Sequence, residues 1–215
     1  MKSSTVIVDY GVGNLRSVAR AFEFCGAEAT ISSDPKTITL ADRIVLPGVG
    51  AFGDCMSGLQ TRGLRHPLME FVDTDRPFLG ICVGMQILHE IGEEFGQHEG
   101  LGIIAGRVSP IPREGTDGCL HKVPFIGWSG IFLPENEGKS WENTILANTK
   151  KGANVYFVHS FGAKPTNPEN ILAVYYYNGQ PITAAVRSHN VYGCQFHPEK
   201  SGQVGLQIIK DFLKL

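Results

Sequence analysis

One cysteine in this chain lies in a sequence context that could make its sulfur a nucleophile. Cys82 stands between Gly80 and Gly84, where the apolar run that begins at Pro77 gives way to a helix pattern. A Gly-x-Cys-x-Gly segment at such a junction is typical of a nucleophile elbow, with sulfur in place of the serine oxygen. The sharp turn leaves room only for hydrogen at the glycine positions, and the start of the helix favours the reactive thiolate. The alternative interpretation is a buried core cysteine beside two turn glycines.

The other cysteines have ordinary surroundings. The chain has five cysteines, at positions 25, 55, 82, 119 and 194, and no CxxC pair. An odd number at wide spacing argues against a disulfide framework or a zinc site and favours a reducing compartment. Cys25 at a helix end and Cys194 within a strand pattern are explained by packing.

A cysteine nucleophile needs a base, and the base needs a third group that fixes its tautomer. His197 follows an apolar strand pattern near the carboxyl end, Pro198 stiffens the turn after it, and Glu199 lies two residues beyond. A carboxylate at that position can reach the imidazole from the side that faces away from the sulfur. Taken separately, His197 could be a turn histidine and Glu199 an acid at a helix start. The two together predict a Cys-His-Glu set.

A third glycine-rich segment, residues 47–53, follows the strand pattern at 44–46. It contains Gly-x-Gly-x-x-Gly, which is found in dinucleotide-binding loops, but Pro47 separates the strand from the glycines and no second nucleotide-binding feature is present. A fingerprint of this kind alone is weak evidence. We expect instead that the segment supplies a backbone N–H group to a tetrahedral oxyanion beside the elbow.

The elements that must position these groups follow an alternating order in the first half of the chain. Asn14 is suited to cap the first helix, Gly26 to end it, and Asn178-Gly179 to form a two-residue hairpin turn. Residues 134–152 are polar and are expected to form a surface excursion. Repeated βα units predict an α/β fold with a mostly parallel central sheet, helices on both faces and antiparallel hairpins in the second half, in one domain spanning residues 1–215. The predicted strands are 5–9, 27–32, 44–46, 77–81, 171–177, 181–186 and 191–196, and the predicted helices are 14–24, 83–91 and 202–213.

Composition excludes several classes of protein. The net charge is −2 and the charges are interspersed, so the chain lacks the basic stripe that nucleic-acid binding requires. Its apolar runs are too short to span a bilayer, and the amino terminus does not resemble a signal peptide. We therefore expect a cytoplasmic protein that binds neither nucleic acid nor membrane. No pattern indicates a metal or an organic cofactor.

Six ordered segments resemble those of the class I glutamine amidotransferases, a family with a flavodoxin-like fold. Within that family the best match is to glutaminase subunits of imidazole glycerol phosphate synthase. Family order and family spacing are kept over the whole chain. The matching segments are VDYGVGNLRSV, LPGVGAF, PFLGICVGMQ, KVPFIGW, YFVHSF and QFHPEKS.

The resemblance implies a role for each site residue. Cys82 attacks the glutamine carboxamide, His197 acts as base and then acid, and Glu199 orients His197. A γ-glutamyl thioester forms and is hydrolysed by water. The implied oxyanion hole is formed by the backbone of Val49 and Gly50 and the N–H of Val83, and the implied glutamine-binding residues are Gln86, Glu94, His159 and Ser160.

The resemblance also implies a partner. In the family, ammonia passes to a (β/α)8-barrel synthase subunit that makes imidazole glycerol phosphate and AICAR in histidine biosynthesis, and the two subunits form a heterodimer. Asn14, Trp128 and Lys200 match positions at that interface, although Trp128 could equally be a core or β-surface aromatic. The chain departs from the usual family residues at three positions near the glutamine site or the partner, namely Phe125, Ser129 and Phe161.

Three alternatives remain open. A paralogous amidotransferase subunit would supply ammonia for surface-sugar biosynthesis, and the three departures could signal that role. A γ-glutamyl cysteine hydrolase would act without a partner. A catalytically dead binding subunit is the third alternative, and the complete Cys-His-Glu set argues against it.

Overall fold

The computed structural model describes residues 4–135 and 140–215. Its described strands form a central seven-stranded sheet, a four-stranded sheet and a two-stranded sheet. The strands are β1 Ser4–Val8, β2 Glu28–Ser32, β3 Arg43–Gly48, β4 Phe78–Cys82, β5 His89–Gly92, β6 His98–Glu99, β7 Ile104–Pro110, β8 Phe125–Gly130, β9 Asn154–His159, β10 Phe161–Pro165, β11 Ile171–Tyr177, β12 Gln180–Ser188 and β13 Val191–Cys194. The helices are α1 Leu15–Phe24, α2 Pro35–Leu40, α3 Phe52–Thr61, α4 Arg65–Val72, α5 Val83–Gln86 and α6 Gly202–Phe212, with 3₁₀ turns at Pro168–Asn170 and Pro198–Lys200.

The central sheet has the strand order β11-β12-β13-β4-β3-β1-β2. β2, β1, β3, β4 and β13 are parallel to one another, and β12 and β11 continue the sheet antiparallel. In the sheet, β2 lies on one side of β1, and β3 followed by β4 lies on the other side. Because crossovers between parallel strands are right-handed, α1 lies on one face and α2, α3 and α4 on the opposite face. The predicted fold class is therefore confirmed.

The parallel strands in the middle of the sheet are apolar throughout because helices or neighbouring elements cover both of their faces. Every residue of β4 and of β13 is buried, and in β3 only Arg43 is partly exposed. These three strands lie side by side, so their carboxyl ends meet at one edge of the sheet. Loops at that edge of a parallel sheet are the usual place for a ligand site.

Two smaller sheets cover this edge. The four-stranded sheet has the order β10-β7-β5-β6, and β8 pairs antiparallel with β9. The sequence analysis placed no strand in β5 to β10. These strands carry two of the predicted site residues, because His159 ends β9 and Trp128 lies in β8.

Most predicted elements agree with the structure to within a few residues. β11 spans Ile171–Tyr177 as predicted, and α1 spans Leu15–Phe24. The φ angles of Asn178 and Gly179 are 46° and 80°, as a type I′ hairpin turn requires. Asn14 occupies the position before α1, but its side chain makes no capping hydrogen bond. The prediction that Asn14 caps the helix is wrong in that respect.

The helix predicted at 83–91 is also wrong, because α5 ends at Gln86 and the chain enters β5. The carbonyls that would accept hydrogen bonds from the last turn of a longer helix are taken by another segment. Leu101 N–H donates to Ile87 O at 2.8 Å, and Ile104 N–H donates to Leu88 O at 3.0 Å. A long-range pairing therefore stops the helix after a single turn.

The expected surface excursion at 134–152 is corrected in part. Its residues 136–139 lie outside the described part of the chain. Trp141, Ile145 and Leu146 are buried, and the indole N–H of Trp141 donates to Leu172 O at 2.8 Å. This part of the segment therefore packs onto the core. Within residues 4–135 and 140–215, no helix combines the length and the apolar character that crossing a membrane requires.

Candidate active site

Cys82 is the last residue of β4 and the residue before the first turn of α5. Its φ is 55° and its ψ is −114°, an unusual conformation for a residue with a side chain. A Cβ atom at Gly84 would lie 1.8 Å from Leu46 O, and one at Gly80 would lie 2.6 Å from Gly84 O. Both glycines are therefore required by close backbone contact, as the nucleophile-elbow interpretation predicts.

The end of β3 packs directly against this elbow. A Cβ atom at Gly48 would lie 2.5 Å from Gly84 N, so no larger residue fits at that position. The buried Tyr10 hydroxyl donates to Pro47 O at 2.7 Å and holds the segment from the β1 side. The glycine-rich segment is thereby fixed beside Cys82, and Gly50 has a φ of 88°.

His197 and Glu199 reach the elbow from the loop that follows β13. The Nδ1 atom of His197 lies 2.8 Å from Oε1 of Glu199, and the two side chains are only 4% and 2% exposed. Burial lowers the pKa of His197, but hydrogen bonds with Cys82 and Glu199 outweigh it and raise the pKa to about 9. The imidazole therefore carries a proton at neutral pH, and a cationic ring beside a thiol favours thiolate. α5 has only four residues, so its dipole contributes less to this effect than the imidazolium does.

Cys82 and His197 border one cavity of about 210 Å³ at the carboxyl edge of the sheet, and Glu199 lies behind His197. Every residue that was predicted for the oxyanion hole or for glutamine binding lines it. The lining residues are Val49, Gly50, Cys82, Val83, Gln86, Glu94, Val158, His159, Ser160, Phe161 and His197.

A family comparison agrees with this geometry. The model of the class I glutamine amidotransferases matches residues 6–215. The chain belongs to this family. Membership confirms the resemblance inferred from the six sequence segments.

Close relatives carry one name. An amidotransferase from Legionella pneumophila (strain Lens), imidazole glycerol phosphate synthase subunit HisH 1, is 54% identical over 99% of this chain and 100% of its own length. The HisH subunit of Syntrophotalea carbinolica is 46% identical over 96% of this chain and 98% of its own.

Solved structures of the family share the fold. PurLQS from Thermotoga maritima has a TM-score of 0.71 at 21% identity and covers 100% of this chain and 99% of its own. The glutaminase domain of Trypanosoma brucei CTPS with bound acivicin has a TM-score of 0.63 at 16% identity and covers 99% and 94%.

His159 lies in the amidotransferase site but is not a second base. Its Nδ1 atom is 2.9 Å from Phe161 O, which only accepts, so Nδ1 carries the proton. Its Nε2 atom is 2.8 Å from the hydroxyl of Tyr175, which must therefore donate. Burial lowers the pKa of His159 to about 4, so the ring is neutral. Both of its nitrogens are therefore occupied by hydrogen bonds.

Glu94 lines the cavity from the loop after β5. Its Oε2 atom accepts the Phe52 N–H at 3.0 Å, at the first residue of α3. The remaining carboxylate oxygen is available to the cavity. The structure therefore places four of the predicted residues around one cavity, namely Gln86, Glu94, His159 and Ser160.

Two residues that the sequence analysis did not select also belong to the site. Gln195 is fully buried and its Nε2 atom lies 3.8 Å from the sulfur of Cys82. Tyr10 holds the glycine-rich segment, as described above. A glutamine inside an apolar strand pattern is unusual, since glutamine is mostly exposed, and this signal was present in the sequence.

The three predicted interface residues are on the surface. Trp128 is 55% exposed, which excludes the core interpretation. Its ring packs edge-on against the Tyr156 ring at 5.9 Å, and the Lys200 ammonium lies 6.0 Å from the centre of the Tyr156 ring. Asn14 is exposed at the start of α1, which contacts the 3₁₀ turn that contains Lys200.

Of the three departures from the family pattern, Phe125 packs in the aromatic cluster around His159. Its ring stacks on Tyr175 at 5.2 Å and contacts Tyr177 at 4.6 Å. Phe161 lines the cavity, where its carbonyl accepts from His159 and Gln86. Ser129 lies in β8 next to Trp128. None of the three separates Cys82 from His197.

Proposed function

We propose that this chain is the glutaminase subunit of an imidazole glycerol phosphate synthase and supplies ammonia in histidine biosynthesis. The observation that carries the proposal is Cys82, held at positive φ on the wall of a cavity beside the buried His197–Glu199 pair. The names of relatives at 46% and 54% identity favour the histidine pathway over surface-sugar biosynthesis.

The first half of the proposed reaction forms a thioester. The Cys82 thiolate attacks the carboxamide carbon of glutamine, and the carbonyl electrons move to the oxygen. The resulting oxyanion is stabilised by the N–H of Val83 and by the backbone of Val49 and Gly50. The C–N bond then breaks, His197 gives its proton to the departing nitrogen, and ammonia leaves a γ-glutamyl thioester on the sulfur.

The second half returns the enzyme to its starting state. Neutral His197 takes a proton from water, whose oxygen attacks the thioester carbon. The C–S bond breaks, glutamate leaves, and the thiolate and the imidazolium are restored. Throughout, Glu199 accepts a hydrogen bond from Nδ1, which keeps Nε2 as the atom that exchanges the proton.

The contacts of Gln86 and Glu94 support their role in glutamine recognition. Both N–H groups of Gln86 are used, on Phe161 O at 2.9 Å and on Gln195 Oε1 at 3.0 Å. The amide oxygen of Gln86 remains to accept a hydrogen bond in the cavity, so Gln86 is suited to bind a hydrogen-bond donor of the substrate. The free oxygen of Glu94 suits the α-ammonium group. His159 and Ser160 shape the wall between them.

We further propose that the partner is a (β/α)8-barrel cyclase subunit bound as a one-to-one heterodimer, and that the complex is cytoplasmic. Asn14, Trp128 and Lys200 form the proposed contact surface. Tryptophan is among the residues most often found at protein interface hot spots, and Trp128 is exposed. Ile126, which is 61% exposed on the same strand as Trp128, extends the apolar part of this surface.

The test measures glutamate release by the purified chain, alone and with a barrel cyclase subunit and its ribonucleotide ligand. We expect weak hydrolysis alone and strong stimulation by the complex, and loss of both in Cys82→Ala with partner binding retained. Cys119→Ser is the matched control, since Cys119 is exposed and does not line the cavity. Efficient cleavage of γ-glutamyl peptides by the chain alone would instead support the partner-independent hydrolase.

A further inference from the structure

Gln195 contacts the sulfur from the protein side of the site. The residue directly follows β13, and its backbone N–H donates to Ala184 O at 2.8 Å, which fixes the main chain. The side chain is fully buried, and its Nε2 atom lies 3.8 Å from Cys82 Sγ. A distance of that length is within reach of an N–H···S hydrogen bond, because sulfur is larger than oxygen.

The orientation of the Gln195 amide follows from its neighbours. Gln86 has one side-chain atom 2.9 Å from the carbonyl oxygen of Phe161, which only accepts hydrogen bonds. That atom of Gln86 must therefore be nitrogen. The same nitrogen lies 3.0 Å from the end of the Gln195 side chain, so the group that faces it must be the Gln195 oxygen. The Gln195 nitrogen is then left to face the sulfur.

We infer that Gln195 is a thiolate-stabilising residue, whose side-chain N–H donates to Cys82 Sγ and whose orientation is set by Gln86. This inference rests on the proposed role of Cys82 as nucleophile. The amide stabilises the thiolate before it attacks glutamine and again when the sulfur leaves the thioester. It adds a neutral donor to the cationic one that His197 provides.

The chemistry of the position supports this role over simple packing. A buried primary amide is costly unless it is hydrogen-bonded, and an apolar residue would fill the same space without that cost. Hydrogen bonds to a charged acceptor are about twice as strong as neutral ones. Gln195 therefore stabilises the charged sulfur more than the neutral thiol. Among the described residues, the hydrogen-bond partners of the Gln195 side chain are the sulfur of Cys82 and the Gln86 amide.

The test measures the alkylation rate of Cys82 by chloroacetamide across pH, followed on the Cys82 peptide by mass spectrometry. It uses the full chain and needs neither glutamine nor a partner. Gln195→Met removes the donor and keeps the side-chain length. Gln86→Met is the second variant, since it keeps Gln195 but removes the group that orients it. Thr183→Val is the matched control, because Thr183 is a buried polar residue of β12 outside the active-site cavity.

We expect Gln195→Met to move the midpoint of the pH–rate profile upward by about one pH unit. At a fixed pH well below the midpoint the rate then falls about tenfold, which equals about 1.4 kcal/mol, and the plateau at high pH is retained. Gln86→Met is expected to move the midpoint in the same direction by less, and Thr183→Val to leave it in place.

An unchanged midpoint in a folded Gln195→Met chain overturns the inference. If Gln195→Met does not fold, an unchanged midpoint in Gln86→Met overturns the inference. The inference is also overturned if the midpoint of Thr183→Val moves as far as that of the tested variant. Failure of the proposed function has a different signature. In that case Cys82 of the unaltered chain alkylates no faster than an ordinary buried cysteine, whatever the variants do.

Discussion

Replacing Glu199 by Gln removes the charge beside His197 while keeping an oxygen that can accept from Nδ1. The pKa of His197, about 9 in the folded chain against 6.5 for an unperturbed histidine, corresponds to roughly 3 kcal/mol of stabilisation of the protonated form. Hydrogen bonds with Cys82 and with Glu199 are its two main favourable causes. A hydrogen bond to a charged group contributes about 1–3 kcal/mol, and we expect the contribution of Glu199 to lie in this range.

The sign of the pH effect follows from the raised pKa. Because the folded chain binds this proton more tightly than the unfolded chain, its stabilising contribution is fully present below about pH 6.5. It is lost as pH rises through about 9. The unaltered chain should therefore lose stability between these values. In Glu199→Gln the loss should be smaller by about 1–3 kcal/mol.

The substitution has a second, pH-independent cost. Oε2 of Glu199 is buried without a hydrogen-bond partner among the described residues, so the new amide N–H₂ group would be buried there unpaired. A buried donor without an acceptor costs about 1–3 kcal/mol at every pH. The slope of stability against pH thus separates the charge effect from this cost.

The assay combines urea unfolding at several pH values with kcat/KM for glutamine in the complex with the cyclase. Glu199→Gln should lower kcat/KM about tenfold or more, because the imidazolium is less stabilised during proton transfer. Glu23→Gln, at an exposed position of α1, is the control. A Glu199→Gln chain whose stability changes with pH as in the unaltered chain, and whose kcat/KM stays within twofold, would refute the reasoning.

Two further substitutions test the elbow and the proposed interface. Gly84→Ala should prevent folding or lower the free energy of unfolding by more than about 3 kcal/mol, since its Cβ would lie 1.8 Å from Leu46 O. Gly102 has a φ of 70° and open space around it, so Gly102→Ala should cost only about 1 kcal/mol. Urea unfolding measures both changes. Equal costs would contradict the steric account. Trp128→Ala should weaken cyclase binding by about 2 kcal/mol, measured by titration calorimetry, and leave unfolding and basal glutaminase activity unchanged. Phe24→Ala, at a residue 73% exposed on α1, should leave binding unchanged, and a similar loss in both variants would remove Trp128 from the interface.

The features that the sequence predicts correctly are those set by short-range constraints. Gly80 and Gly84 mark the elbow because backbone atoms approach both positions closely. Asn178-Gly179 marks its turn because both residues adopt positive φ. His197 and Glu199 are two residues apart, so their pairing follows from local geometry. Residues of this kind can be selected without knowing the rest of the fold.

The features that the sequence does not predict depend on distant partners. The length of α5 is decided by the N–H groups of Leu101 and Ile104, which no local pattern at residues 83–91 reveals. The neutral state of His159 depends on its burial, and its Nε2 atom is paired with the hydroxyl of Tyr175, which lies sixteen positions along the chain. The contact of Gln195 with Cys82 can be inferred only when β4 and β13 are known to be neighbours.

The glutaminase account is tested most directly by the covalent intermediate. The chain, bound to the cyclase and its ligand, is mixed with glutamine, quenched in acid within the time of a few turnovers, and digested for mass spectrometry. The account predicts one added glutamyl group on the peptide that contains Cys82, removed by hydroxylamine and absent from Cys82→Ala. Glutamate formation at full rate with the Cys82 peptide unmodified, or with the glutamyl group on another residue, would contradict it.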